Sequence, residues 1–102
     1  MEIREVYKKV LKDLEKYKKQ GNIAKFREEQ LYFTALAMGI VAKKDGNYLE
    51  FKETELSENH PESYKQGIID AERINMNDNI LFEAMSYNDE ITRMLPNENK
   101  EK

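Results

Sequence analysis

With 102 residues, of which 39% are hydrophobic, the chain has enough apolar material for one small domain with a single core. It contains no cysteine, which excludes disulfides, thiolate nucleophiles, Cys-based zinc sites and iron–sulfur clusters, and we expect a reducing, cytoplasmic setting. The net charge is −3, but residues 1–52 carry 12 Lys and Arg against 8 Asp and Glu, while residues 53–102 carry 5 against 12. Two solvated surfaces of one domain are the commoner reason for such asymmetry, although it also permits contact with nucleic acid or a protein.

The first predicted element is an amphipathic helix that ends near residue 20. Gly21 indicates the end, because glycine readily takes the left-handed conformation that closes a helix. The start lacks the basic-then-apolar order of a signal peptide, so export is not expected. Apolar residues recur every three or four positions and form one stripe, namely Ile3, Val6, Tyr7, Val10, Leu11, Leu14 and Tyr17.

A second helix is predicted over residues 26–43, and it contains LYFTALAMGI, a run of ten residues without a charge. This run is too short to cross a membrane, which takes about 20 apolar residues, and charges lie on both sides of it. Apolar residues surround the helix, so we expect it at the centre of the domain. Its small residues Ala35, Ala37 and Gly39 would let a neighbouring element approach closely.

The segment after the turn Asp45-Gly46-Asn47 leaves two alternatives open. The alternation in YLEFKETEL is typical of a short half-buried strand, which could pair with GIVAKK as a hairpin over residues 40–52. Alternatively the turn releases an extended arm with a short β segment near residues 48–56. We favour the arm.

A third helix is predicted to begin near Pro61, because proline suits the first turn of a helix. Gly67 weakens this helix by up to about 1 kcal/mol relative to alanine. Its apolar residues would be Tyr64, Ile68, Ile69, Ala71 and Ile74.

Asn77 or Asp78 is predicted to cap a further helix that begins at Ile80. Either this helix is interrupted at residues 88–90, where one more turn starts, or it runs unbroken until a proline stops it. Residues 1–95 would then form a single helical domain, and residues 96–102 a flexible tail.

Motifs for catalysis are absent. His60 is the one histidine, and a catalytic base or a metal ligand needs partners, so a structural or exposed role is favoured. Four glycines do not make a phosphate-binding loop, and the carboxylates follow no calcium-loop spacing. We therefore predict no enzyme activity, no catalytic residue, no metal and no cofactor.

Two sets of residues are candidates for binding. Lysines on the outward face of the first helix could neutralise DNA phosphates, and they are Lys8, Lys12, Lys16 and Lys19. Methionines at nine-residue spacing could contact a protein partner, because methionine adapts to irregular surfaces, and they are Met76, Met85 and Met94. More commonly, however, lysines on a helix surface are simply solvated, and methionines fill the hydrophobic core.

The stretch FREEQLYFTALAMGIVAKKDG resembles a region of the small accessory proteins of DNA phosphorothioation (Dnd) systems, and YKQGIIDAERINMNDNIL looks like a second helical region of that family. The resemblance implies a small helical accessory protein of a prokaryotic or phage gene cluster, and it carries over no catalytic residue. Where that family has an arginine and a proline, this chain has Asn47, Tyr48 and Leu49. The residues that match are Phe26, Phe33, Ala35, Leu36, Ala37, Gly39, Lys43 and Lys44.

Together these patterns predict a mainly α fold, a single small domain of four or five helices with a short β segment near residues 48–56. The expected function is noncatalytic binding or regulation through protein contacts, within a DNA-modification or defence system. The alternative is DNA binding by the lysine face of the first helix. No membrane partner is expected.

Overall fold

A computed structural model describes residues 1–96 of the protein. This range contains five helices and no strand, which confirms the predicted mainly α fold of one small domain. The predicted tail, apart from Pro96, lies outside the described residues. The helices are α1 (Ile3–Gln20), α2 (Ile23–Asp45), α3 (Tyr48–Ser57), α4 (Glu62–Ala71) and α5 (Ile80–Arg93).

Helix α1 ends as predicted, with Gly21 in the left-handed conformation at φ 68°. Helix α2 begins three residues earlier than predicted, because the side chain of Asn22 accepts a hydrogen bond of 3.1 Å from the backbone N–H of Lys25. Within residues 1–96, none of the helices is both long enough and apolar enough to cross a membrane.

Helix α2 lies at the centre of the domain, as predicted, and contacts each of the other four helices. Its side chains Phe33, Leu36 and Ile40 are completely buried. They pack with buried residues of α1 and α5, such as Leu14 and Ile91, in the main hydrophobic core. The charge-free run is therefore mostly a core element.

Residues 48–56 are helical, so the predicted β segment, the hairpin and the extended arm are all wrong. Gly46 closes α2 at φ 83°, and the chain enters α3 within two residues. Tyr48 then fixes the start of α3, because its ring is buried and its hydroxyl donates a 2.5 Å hydrogen bond to the carbonyl of Ile68. The alternation that suggested a strand spans few residues, and glutamate, lysine and leucine all favour helix.

Helices α2 and α4 pack closely through small residues. Gly67 of α4 faces Ala35 and Leu36 of α2, and Ala71 of α4 faces Gly39 of α2. Because both contacts follow the same order along the two helices, α2 and α4 run in the same direction. Helix α3 makes this possible, since it returns the chain between them. The predicted close approach at Gly39 is therefore confirmed.

Helix α5 runs unbroken to Arg93, so the predicted alternative of a restart at residues 88–90 is wrong. Asn79 occupies the N-cap position, and no side chain caps the helix there, so the predicted capping by Asn77 or Asp78 is also wrong. The side-chain oxygen of Asn77 instead accepts a 2.8 Å hydrogen bond from the backbone N–H of Asn79 and forms the turn before the helix.

Candidate functional site

An apolar groove of about 310 Å³ is lined by residues of α2, α3 and α5. We call it the methionine groove, because Met38 of α2 and Met85 of α5 both line it and are 41% and 54% exposed. Polar residues also line it, with Asp45 as the one charged member among the described residues. The full lining is Thr34, Ala37, Met38, Val41, Ala42, Asp45, Asn47, Phe51, Met85 and Asn88.

The helical periodicity explains why both methionines face outward. In α2, Met38 lies between Ala37 and Gly39, which are both buried, so it is the exposed member of the charge-free run. In α5, the buried residues include Ala84, and Met85 follows it on the outer side. Phe82 lies three residues before Met85 on the same face and is 75% exposed.

Polar contacts hold the groove in shape. The hydroxyl of Thr34 in α2 donates a 3.0 Å hydrogen bond to the side-chain oxygen of Asn88 in α5. At the other side, Phe51 of α3 packs partly buried against the core. The groove is therefore built mainly on three helices, and Asn47 from the turn between α2 and α3 completes its lining.

The three predicted methionines do not share one surface. Met85 lines the methionine groove, whereas Met76 lines a separate depression beside Lys43 and Leu49. Met94 is partly buried against the main core. Sequence spacing alone could not separate these positions, because Met76 precedes α5 and Met94 follows it.

The predicted lysine face is exposed along α1. All four of its members, Lys8, Lys12, Lys16 and Lys19, are exposed. Tyr7 of α1 does not offer a platform for nucleic-acid bases, because it stacks on Tyr87 with ring centroids 4.0 Å apart, and Tyr17 is partly buried against the main core. The exposed groups of this face are therefore mainly lysine ammonium groups, which suit contacts with phosphates.

His60 has the partners that the sequence did not reveal. Its Nε2 lies 3.1 Å from a carboxylate oxygen of Glu58 and 3.4 Å from one of Glu55, and its ring lies 4.2 Å from that of Tyr64. The ligand atoms of Glu55, Glu58 and His60 all lie within 4.8 Å of one another and could hold a metal ion. The same distances suit ion pairs of a protonated histidine. Glu55 belongs to α3, in the segment predicted to be extended.

A larger concave region, the acidic pocket, lies between α1, α2 and α4 and has a volume of about 580 Å³. Burial and the neighbouring Asp13 raise the pKa of Glu29 to about 7. Burial and a hydrogen bond to Asp70 raise the pKa of Tyr32. Sequence reasoning missed this pocket, because three helices contribute its residues and no local spacing connects them.

Comparisons of the chain with protein-family models, with curated proteins and with solved structures found no match. A functional assignment therefore depends on the geometry of the described residues.

Proposed function

We propose that the protein is a noncatalytic binding or regulatory protein that recognises a partner protein through the methionine groove. The observation that carries this proposal is the exposure of Met38 and Met85 in the lining of one apolar groove, with Phe82 exposed one turn before Met85 on α5. Large exposed apolar side chains that lie together are typical of surfaces that bind another protein. Methionine suits such a surface, because its unbranched thioether chain adapts to the shape of a partner.

The proposed occupant is an amphipathic helix of the partner with apolar residues on one face and basic residues beside them. A groove bounded by helices accepts apolar side chains spaced three or four residues apart on another helix. Charge complementarity favours basic flanks, because Asp45 is the one charged residue that lines the groove within residues 1–96. Helix α5 also carries Glu83, Asp89 and Glu90 against a single Arg93.

The resemblance to accessory proteins of Dnd systems supports a partner from a DNA-modification or defence complex. It rests on the arrangement of apolar and small residues in α2, together with the two lysines at its end. The structure places most of those matching residues in the core, so the resemblance concerns packing, and the groove residue Met38 is not among them.

The proposal can be tested with synthetic peptides and the full chain. A lysine- and leucine-containing amphipathic helical peptide serves as the probe, and a glutamate- and leucine-containing peptide of the same pattern is its control. We expect the basic peptide to shift the NMR methyl signals of Met38 and Met85. Met85→Lys should weaken this binding about ten-fold, because it adds a like charge and removes apolar contact.

Leu49→Lys is the matched control, because Leu49 is also highly exposed but lies outside the groove. It should leave binding of the basic peptide unchanged. Equal binding of the acidic peptide, or signal changes confined to other surfaces, would contradict the proposal.

Direct DNA binding by α1 is the second candidate function. The exposure of all four predicted lysines on one helix favours it. Such a contact would be electrostatic and independent of DNA sequence, because lysines that reach phosphates do not read base edges.

A further inference from the structure

The junction between α3 and α4 brings one imidazole and two carboxylates together. Glu55 belongs to the last turn of α3, and Glu58 follows at the C-cap position of that helix. His60 comes directly before Pro61, which occupies the N-cap position of α4. None of these three side chains lines the methionine groove or the acidic pocket, so the junction is a separate part of the surface.

The three side chains converge at the distances that the ligands of a metal ion have. Nε2 of His60 lies 3.1 Å from Oε1 of Glu58 and 3.4 Å from Oε1 of Glu55, and all three atoms lie within 4.8 Å of one another. Zinc binds imidazole nitrogen and carboxylate oxygen at about 2.1 Å, so two ligands of a tetrahedral site lie about 3.4 Å apart. The two distances from Nε2 therefore match those between ligands of one ion.

Tyr64 of α4 holds two of these side chains in position. Its ring lies against the imidazole of His60, with centroids 4.2 Å apart, and its hydroxyl donates a hydrogen bond to Oε1 of Glu55. Tyr64 itself is buried, so its position is fixed by the packing around it. Contacts of this kind orient the side chains that bind metal ions in proteins.

The backbone of the junction is also held by hydrogen bonds. The N–H of Glu58 donates a 3.3 Å hydrogen bond to the carbonyl of Glu55, and the N–H of His60 donates a 3.0 Å hydrogen bond to the carbonyl of Glu58. Each of the three residues is therefore tied to the next. Side chains that already converge lose less conformational freedom when an ion binds.

The two carboxylates have no permanently charged cation beside them. The ion pairs that Glu55 and Glu58 form within residues 1–96 are both with His60. Lys52, three residues before Glu55, pairs with Glu72 instead. The neutral imidazole is the form that binds metal ions, and with it the two carboxylates meet without a positive charge. A nitrogen ligand among oxygens favours zinc or a similar transition metal over magnesium and calcium, which take oxygen ligands.

We propose that Glu55, Glu58 and His60 bind one divalent transition-metal ion, with Zn²⁺ as the best match, and that this ion links the end of α3 to the start of α4. Three protein ligands leave the fourth position of a tetrahedral site to water or to an atom of another molecule. The sequence prediction of no metal rested on the single histidine. The glutamates that complete the site come from the end of α3, a helix that the sequence did not predict.

Calorimetry and NMR of the full chain test the site with ZnCl₂, and with MgCl₂ for comparison. His60 is the one histidine of the chain, so its imidazole signals report directly on the site. We expect one Zn²⁺ to bind per chain at neutral pH and to shift these signals, and Mg²⁺ to bind at least about ten-fold more weakly. Without saturable Zn²⁺ binding the three side chains form ion pairs only, and with equal binding of Mg²⁺ they attract cations unselectively. Either result would overturn the inference.

Two variants and a matched control assign the ligands. Glu58→Gln replaces an exposed charged ligand by a neutral amide and should weaken Zn²⁺ binding at least about ten-fold, and His60→Gln should abolish it. Glu53→Gln, also exposed but outside the cluster, should leave the affinity unchanged. Equal effects of Glu53→Gln and Glu58→Gln would contradict the assignment. The imidazole signals of the unsubstituted protein are an independent readout, which does not depend on the folding of any variant.

Discussion

Gly67 of α4 lies directly against α2, where a Cβ atom on it would be 2.8 Å from the Cβ of Ala35 and 3.0 Å from the backbone nitrogen of Leu36. It would also collide with the carbonyl oxygen of Tyr32. Because backbone atoms of a central helix cannot move aside as a flexible side chain can, any larger residue at this position would force α2 and α4 apart. The contact explains why a residue that disfavours helices lies in the middle of α4.

Gly67→Ala is therefore expected to destabilise the protein by about 1–3 kcal/mol, the usual cost of overpacking, although alanine is the better helix former. The free energy of unfolding in urea measures this. Gly21→Ala is the comparison, because nothing lies within 4 Å of a Cβ there and its cost comes only from the left-handed φ of 68°. A more stable Gly67→Ala protein would show that α2 and α4 are not packed as described.

Gln30 is the one buried polar residue among residues 1–96, with 7% exposure. Its side-chain nitrogen donates 2.9 Å hydrogen bonds to the carbonyls of Ile91 and Met94 and so ties α2 to the end of α5. Gln30→Leu should cost about 1–3 kcal/mol, because these carbonyls lose their donor. Chemical denaturation checks this, with the exposed Gln20→Leu as control. Equal stability of the two variants would contradict the bridging role.

Lys43 of α2 closes the end of α4. Its ammonium group donates hydrogen bonds of 3.0, 3.1 and 2.7 Å to the carbonyls of Ala71, Glu72 and Ile74. Burial lowers the pKa of Lys43.

Lys43→Met keeps most of the apolar chain and removes the donors, so a loss of about 1–3 kcal/mol is expected. Amide hydrogen exchange near the end of α4 should accelerate at the same time. Lys44→Met, at the exposed next position, should do neither. The capping role would be excluded if exchange were unchanged in Lys43→Met.

Glu29 should make stability fall as the pH rises. Its pKa in the folded protein, about 7, lies above its ordinary value of 4.5, so the folded state binds the proton more tightly than the unfolded state. The stabilisation is fully present below about pH 4.5 and is lost as the pH rises to about 7.

Glu29→Gln should remove the loss of stability at high pH, because glutamine does not ionise. The variant is therefore expected to be more stable than the unsubstituted protein at pH 7.5. Thermal unfolding at pH 5 and pH 7.5 measures the difference. Glu28→Gln, at an exposed position, should keep most of this pH dependence, because Glu28 contributes least to the raised pKa of Glu29. If Glu29→Gln had the same pH dependence as the unsubstituted protein, the raised pKa would be wrong.

The exposed lysine face of α1 leads to a separate prediction about DNA binding. If α1 binds phosphates, the affinity for a short duplex should fall steeply with added salt, and glutamate in place of Lys8, Lys12, Lys16 and Lys19 should abolish binding. Fluorescence anisotropy measures both effects, with Lys44→Glu as a control outside α1. Unchanged binding by the fourfold variant, or no binding at low salt, would exclude this function.

The sequence correctly predicted the helices whose apolar pattern and end signals lie within a short stretch of the chain. The apolar stripe of α1, Gly21 at its end and the charge-free run of α2 each indicate helix within one window of the chain, and the structure agrees. Helix α3 was missed because its apolar residues are few and its burial depends on Tyr48 reaching Ile68 of α4. A contact between segments that are distant in the sequence produces no periodic pattern of apolar residues from which a helix could be predicted.

The candidate sites also divide into features that local sequence patterns predict and features that depend on contacts between helices. The sequence by itself determined one small helical core, the lysine face and the absence of cysteine chemistry, because composition and helical periodicity are properties of neighbouring residues. Only the tertiary structure decided that Met38 and Met85 line one groove and that Glu29 and Asp13 line one pocket. These pairs lie on different helices, and their distances depend on how closely the helices approach. In the same way, the close approach of α2 and α4 depends on Gly39 and Gly67, whose role appears only when both helices are in place.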